Sequence, residues 1–121
     1  MYTYSFEKLD VWHKARELTK SIYSLTSLFP SEEKYGLTNQ IRRATISISS
    51  NLAEGSSRKT SKDQARFTQI AFSSLLEVLN QLILSQDLEY ISEQQYTEIR
   101  LKIEELSNKL NAFYNSQINR K

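Results

Sequence analysis

The chain has no cysteine, one histidine, one proline and two glycines among its 121 residues. Without cysteine there are no disulfides, thiolate zinc sites or cysteine nucleophiles. His13, the single histidine, excludes a multi-histidine metal site, and it leaves a His-paired triad only if His13 itself serves. Di-iron bundles use Glu-x-x-His pairs on two helices, which one histidine cannot supply. Average usage would place about 8 glycines and 6 prolines in this length. So few breakers argue against sandwiches and barrels, which need a turn signal about every 8 to 12 residues. No unbroken apolar run approaches the roughly 18 residues of a membrane span, and the N-terminus lacks an apolar signal core. These absences predict one mostly helical domain over residues 1–121, cytoplasmic and without a membrane partner.

What is present is helical periodicity. Four segments are predicted, over about 9–28, 37–54, 62–88 and 93–116. In the first, Trp12, Ala15, Leu18, Ile22, Leu25 and Phe29 step by three or four, which lines one helix face. Phe29-Pro30 closes it, because the residue before proline avoids the helical region. Leu37, Ile41, Ala44, Ile48 and Leu52 repeat the stripe in the second. Thr38 or Ser31 is its candidate N-cap, and Gly55 is its expected left-handed C-terminal residue. Ser61-x-x-Gln64 and Ser92-x-x-Gln95 read as capping boxes for the third and fourth helices. In the fourth, Tyr96, Ile99, Ile103, Leu106, Leu110 and Phe113 form a nearly strict heptad seam. Long helices with short loops predict an all-α, antiparallel up-down-up-down four-helix bundle. Seven Tyr, five Phe and one Trp exceed what one narrow core can hold, so some are expected at a subunit contact. The polar tail from Asn115 to Lys121 is expected to fray.

The net charge of +2 conceals an asymmetry. Residues 36–66 carry Arg42, Arg43, Arg58, Lys59, Lys62 and Arg66 against Glu54 and Asp63, a surplus of four positive charges. Residues 67–121 carry five basic and seven acidic side chains. The basic stretch reads either as an anion-binding patch for nucleic acid or an acidic protein, or as a solvated loop with ordinary surface arginines.

The second helix is also unusual in its polar content. Ile46-Ser47-Ile48-Ser49-Ser50-Asn51 joins β-branched and short polar residues, all weaker helix formers than Leu or Ala. The third helix answers with Ser73, Ser74 and Glu77. Asn51, Glu54 and Glu77, with Arg42 and Arg43, are the candidate members of a partly buried polar network. Such a network either fixes helix register and assembly or forms a ligand-binding cluster. No spacing among these carboxylates and arginines implies a catalytic constellation. No catalytic residue, metal ligand, cofactor or small-molecule substrate is therefore assigned.

Several blocks resemble a known family. Phe6-x-x-Leu9-x-Val11-Trp12-x-x-Ala15, Phe29-Pro30-x-x-Glu33-x-Tyr35-Gly36-Leu37 and Gln40-Ile41-Arg42-Arg43-Ala44 come in order. Ser47-Ile48-x-x-Asn51-Leu52-Ala53-Glu54-Gly55, Phe67, Ile70-Ala71 and Ser74-Leu75-x-Glu77 follow. Together they resemble the four-helix bundle proteins linked to 23S rRNA intervening sequences. The resemblance implies a left-handed bundle assembling as a homopentamer around a central channel. Some members are encoded in inserts within bacterial 23S rRNA genes. Others are similar to the accessory variability protein of diversity-generating retroelements, a basic pentamer that binds nucleic acid and a reverse transcriptase. Neither enzyme activity nor a cofactor comes with the family. Ser49 stands where the family often has proline, and Ser73 where it often has glycine.

Residues and resemblance together predict a non-enzymatic homo-oligomer, expected to be a pentamer. It is expected to bind nucleic acid such as RNA, or a nucleic-acid enzyme such as a reverse transcriptase, through Arg42, Arg43, Arg58, Lys59, Lys62 and Arg66. The alternative is a protein–protein scaffold with no nucleic-acid contact.

Overall fold

A computed structural model describes residues 1–120; Lys121 lies outside the described residues. Four helices carry the fold: α1 (Asp10–Thr26), α2 (Leu37–Ser56), α3 (Ser61–Asp87) and α4 (Glu93–Ile118). Short 3₁₀ turns at Ser5–Lys8 and Ser31–Glu33 precede α1 and α2. Each helix packs against its neighbours in sequence, and α4 closes the ring against α1. This is the up-down-up-down bundle that short loops between amphipathic helices dictate. The expected stripes of α1, α2 and α4 send Leu18, Ile22, Ile41, Ile48, Ile103, Leu106 and Leu110 into the core, and α3 adds Leu75 and Leu82; all are almost wholly buried. In α1, Val11 occupies the buried first-turn position, while Trp12 is half-buried against it. Phe6 meets Trp12 edge-on at 5.0 Å and tacks the N-terminal segment onto the bundle.

The helix ends differ from expectation in instructive ways. Ser92 is a true capping box with Gln95. At α3 the cap is Thr60, one residue earlier than expected, and its hydroxyl accepts the Asp63 N–H at 3.1 Å. The Gln64 side chain is then free to donate to the Arg58 carbonyl at 2.9 Å. At α2 neither Thr38 nor Ser31 caps. Gly36 holds that place, and the Glu33 carboxylate accepts the Leu37 N–H at 3.1 Å. The same carboxylate accepts the Tyr90 hydroxyl at 2.7 Å, tying the α1–α2 connection to the α3–α4 connection.

Gly55 is not a left-handed terminator; it lies within α2, and a Cβ placed there would sit 2.6 Å from Phe67 Cβ. Glycine is needed for close approach of α2 and α3, not for φ. The left-handed residue is instead Glu89, with φ 62°. It ends α3 in a Schellman turn, where Tyr90 N–H reaches the Ser85 carbonyl and Glu89 N–H the Gln86 carbonyl, both at 2.9 Å. The tail does not fray at Gln117, which is buried and accepts the Thr68 hydroxyl at 2.7 Å.

α3 is the most apolar helix. An 18-residue window in it reaches a mean hydropathy of 1.3, and among the described residues it is the one helix long and apolar enough, by length and composition, to cross a membrane. A search for unbroken apolar runs passes over it because Ser73, Ser74, Glu77 and Asn80 interrupt the run. One side of α3 fills the bundle core. The other leaves Ile70, Leu76, Ile83 and Leu84 exposed, and Leu88 just past its end is exposed too.

Candidate nucleic-acid interface

The six basic residues do not form one patch. Arg42 and Arg43 lie in the first half of α2, and Arg58 lies just beyond its end. At 1.5 Å of rise per residue, about 22 Å of helix separates the two groups.

The α2–α3 connection holds Arg58, Lys59, Lys62 and Arg66. Asp63 organises it. Its carboxylate pairs with Arg58 Nε at 3.3 Å and with Arg66 Nε at 3.1 Å. Both guanidinium groups also lie over the buried Phe67 ring, each 4.7 Å from its centroid. Arginine's planar, weakly hydrated head suits this stacking. Phe67 is positioned in turn by the missing side chain of Gly55. Lys59 and Lys62 are exposed and make no ion pair among the described residues. Arg120 joins them: its Nη1 donates to Gln64 Oε1 at 3.1 Å. Five cations therefore gather at one end of the bundle, with Asp63 among them.

The other group behaves differently. Arg42 Nε donates to Thr26 Oγ1 at 2.8 Å, and its guanidinium lies 4.4 Å from the Tyr23 ring centroid. Arg42 is thus a brace between α1 and α2. Arg43 is exposed.

The expected polar network also separates. Asn51 Nδ2 donates to the Ser47 carbonyl at 2.8 Å and to Ser47 Oγ at 3.0 Å. Ser47 Oγ in turn shares a 2.9 Å hydrogen bond with Ser74 Oγ. This chain of bonds staples α2 to α3. Glu54 and Glu77 are exposed and outside it, and Glu77 meets only Gln81 Nε2, at 3.5 Å. Helical spacing put Asn51 and Glu54 one turn apart, but the i+3 step carries Glu54 off the buried face.

A family model described as 23S rRNA-intervening sequence protein matches residues 7–112. The chain belongs to this family. A solved structure is similar over 86% of this chain and 97% of its own, with 27% identity and a TM-score of 0.79. It is a protein of unknown function from the S23 ribosomal protein family of Bacteroides thetaiotaomicron VPI-5482. No curated protein matches the chain.

This member of the intervening-sequence family holds no group of three or more His, Cys, Asp or Glu side chains able to share a metal ion, among the described residues. Its perturbed titrations involve none of the clustered basic side chains. The Tyr90 hydroxyl, then the Leu37 N–H, hold the Glu33 carboxyl below its ordinary range, and Glu33 raises the Tyr90 phenol. Across the α1/α4 seam, Lys109 lowers Asp10 and Glu105 raises Lys14. These pairs are surface clamps, and such exposed pairs contribute little each.

Arg120 is the cation at this end that lies outside the basic stretch of the sequence. It sits 54 residues after Arg66 in the chain. The signal for it lies in helix lengths: α3 has 27 residues and α4 has 26. Antiparallel helices of equal length return the end of one to the start of the other.

Proposed function

We propose that this chain is the subunit of a homo-oligomer, a pentamer, that binds nucleic acid through the α2–α3 end of each bundle. The observation that carries the reading is the gathering of Arg58, Lys59, Lys62, Arg66 and Arg120 at one end of the bundle. Within it, Lys59 and Lys62 are exposed and free of ion pairs among the described residues. Such a site neutralises phosphates and reads no sequence, since positioning contacts carry no base information. Oligomerisation repeats the cluster around an axis, which multiplies its field. The exposed Ile70, Leu76, Ile83 and Leu84 of α3 and Leu88 just past its end, with Ile46 of α2, support a contact between copies.

The test is fluorescence anisotropy with labelled RNA across a salt series. Binding is expected to weaken log-linearly with salt, by a slope of about 0.7 per neutralised phosphate on single strands. Lys59→Glu with Lys62→Glu is expected to lower affinity at least tenfold in low salt while leaving the circular dichroism unchanged. Absence of binding at low salt rejects the reading.

The exposed rings of Tyr2 and Tyr35, at 78% and 85% accessibility, favour a second one, a protein–protein scaffold with no nucleic-acid contact. A nucleic-acid enzyme such as a reverse transcriptase is then the partner to test, and binding that survives charge reversal identifies this case.

A further inference from the structure

Beside the basic end, α3 and α4 leave an open groove. Its outer part has a volume of about 520 Å³, and Lys62, Asp63, Arg66, Gln69 and Tyr114 are among the residues that line it. An adjoining recess of about 190 Å³ shares Gln69 and Tyr114 and adds Phe72 and Asn111. Gln69 and Tyr114 border both. Small-molecule clefts run from about 300 to 1,000 Å³, so one nucleotide unit fits the outer part.

Cations line the outer part and not the recess. Lys62 has no ion-pair partner among the described residues, and Arg66 commits its Nε to Asp63, which leaves its terminal nitrogens for another acceptor. Tyr114 is half-buried, and its hydroxyl has no hydrogen-bond partner among the described residues. Gln69 and Asn111 are exposed amides, each offering both donors and an acceptor. An anion site, an aromatic ring and two hydrogen-bonding amides around one groove describe a nucleotide whose base is unpaired. A duplex cannot offer that face, because its bases are stacked and paired.

We infer that this groove is a single-strand subsite, in which Lys62 and Arg66 take the phosphate, Tyr114 stacks on an unpaired base, and Gln69 and Asn111 meet its edge. The inference rests on the nucleic-acid reading above and adds a preference for single strands, without choosing among bases.

The experiment compares a short fluorescein-labelled RNA with the same strand annealed in a blunt duplex. Wild-type protein, Tyr114→Phe and Tyr114→Ser are titrated against both. Wild type is expected to favour the single strand about tenfold, in line with one stacked base. Tyr114→Phe keeps that preference. Tyr114→Ser loses it, while duplex affinity and its salt dependence stay unchanged. Gln69→Ala and Asn111→Ala, at exposed positions that leave the core intact, are expected to weaken single-strand binding selectively. They keep the test decisive if Tyr114→Ser fails to fold. Equal, salt-dependent binding of both probes, unmoved by these variants, overturns the subsite and leaves the basic end standing. Absence of binding to either probe removes both.

Discussion

The two ends of the α2/α3 hairpin carry arginines of the same chemistry and put them to different use. At the α1 side, Arg42 is absorbed: Thr26 and Tyr23 occupy its nitrogens and its face. At the loop side, one carboxylate, Asp63, holds Arg58 and Arg66 by their Nε atoms against Phe67. Lys59 and Lys62 beside it have no ion-pair partner among the described residues. Charge counted along a chain is therefore not charge available to a ligand. What makes it available is the local ratio of cations to acceptors, and that is set by packing.

The contrast breaks most severely at Gly55. Gly55→Leu pushes α3 away from α2 at the Phe67 contact, because even a Cβ there stands 2.6 Å from Phe67 Cβ. Overpacking of this kind costs about 1–3 kcal/mol, and urea denaturation is expected to show a cost at the upper end. A neutral result would mean that the hairpin end is looser than described. Arg42→Ala comes next. It removes a charged hydrogen bond and a stacking contact, for an expected loss of about 1–2 kcal/mol by the same assay. If stability is unchanged, Arg42 is not a brace, and the two ends are more alike than their geometry indicates.

Smaller effects sharpen the picture at the opposite loop. Glu89 occupies the left-handed region that glycine occupies without strain. Glu89→Gly is expected to raise stability by about 0.5–1 kcal/mol, read as a higher thermal midpoint. The smallest effect concerns pH. Glu33 has a lowered folded-state pKa, from the Tyr90 hydroxyl and then the Leu37 N–H. Its contribution is full above the unfolded glutamate pKa and is lost as pH falls through the folded value. Glu33→Gln is expected to flatten the acid limb of the stability profile, and an unchanged limb would remove this carboxylate from the account. Tyr90 moves the other way: its raised pKa keeps its share below the unfolded tyrosine value and loses it as pH rises through the folded one.

Much of the fold was legible before any coordinates. Ala15, Leu18, Ile22, Leu25 and Phe29 are buried as their spacing requires, and Ser92 caps α4 as its box with Gln95 predicts. Periodicity works here because each helix has one core face. It fails where a residue's role depends on a partner far along the chain. Gly55 looked like a stop because its constraint, Phe67, lies on the next helix. Glu54 and Glu77 looked like network members because their neighbours were read one helix at a time. Arg120 was invisible to a local charge count, since only the return of α4 brings it to Gln64.

The most direct measurement titrates labelled RNA against three proteins in parallel, wild type, Arg42→Ala and Lys59→Glu with Lys62→Glu, each with its urea stability recorded. The account predicts a double dissociation. Arg42→Ala loses stability and keeps its RNA affinity and salt slope, while the lysine reversal keeps stability and loses affinity at least tenfold with a shallower slope. RNA binding that follows Arg42 and ignores the two lysines would contradict it.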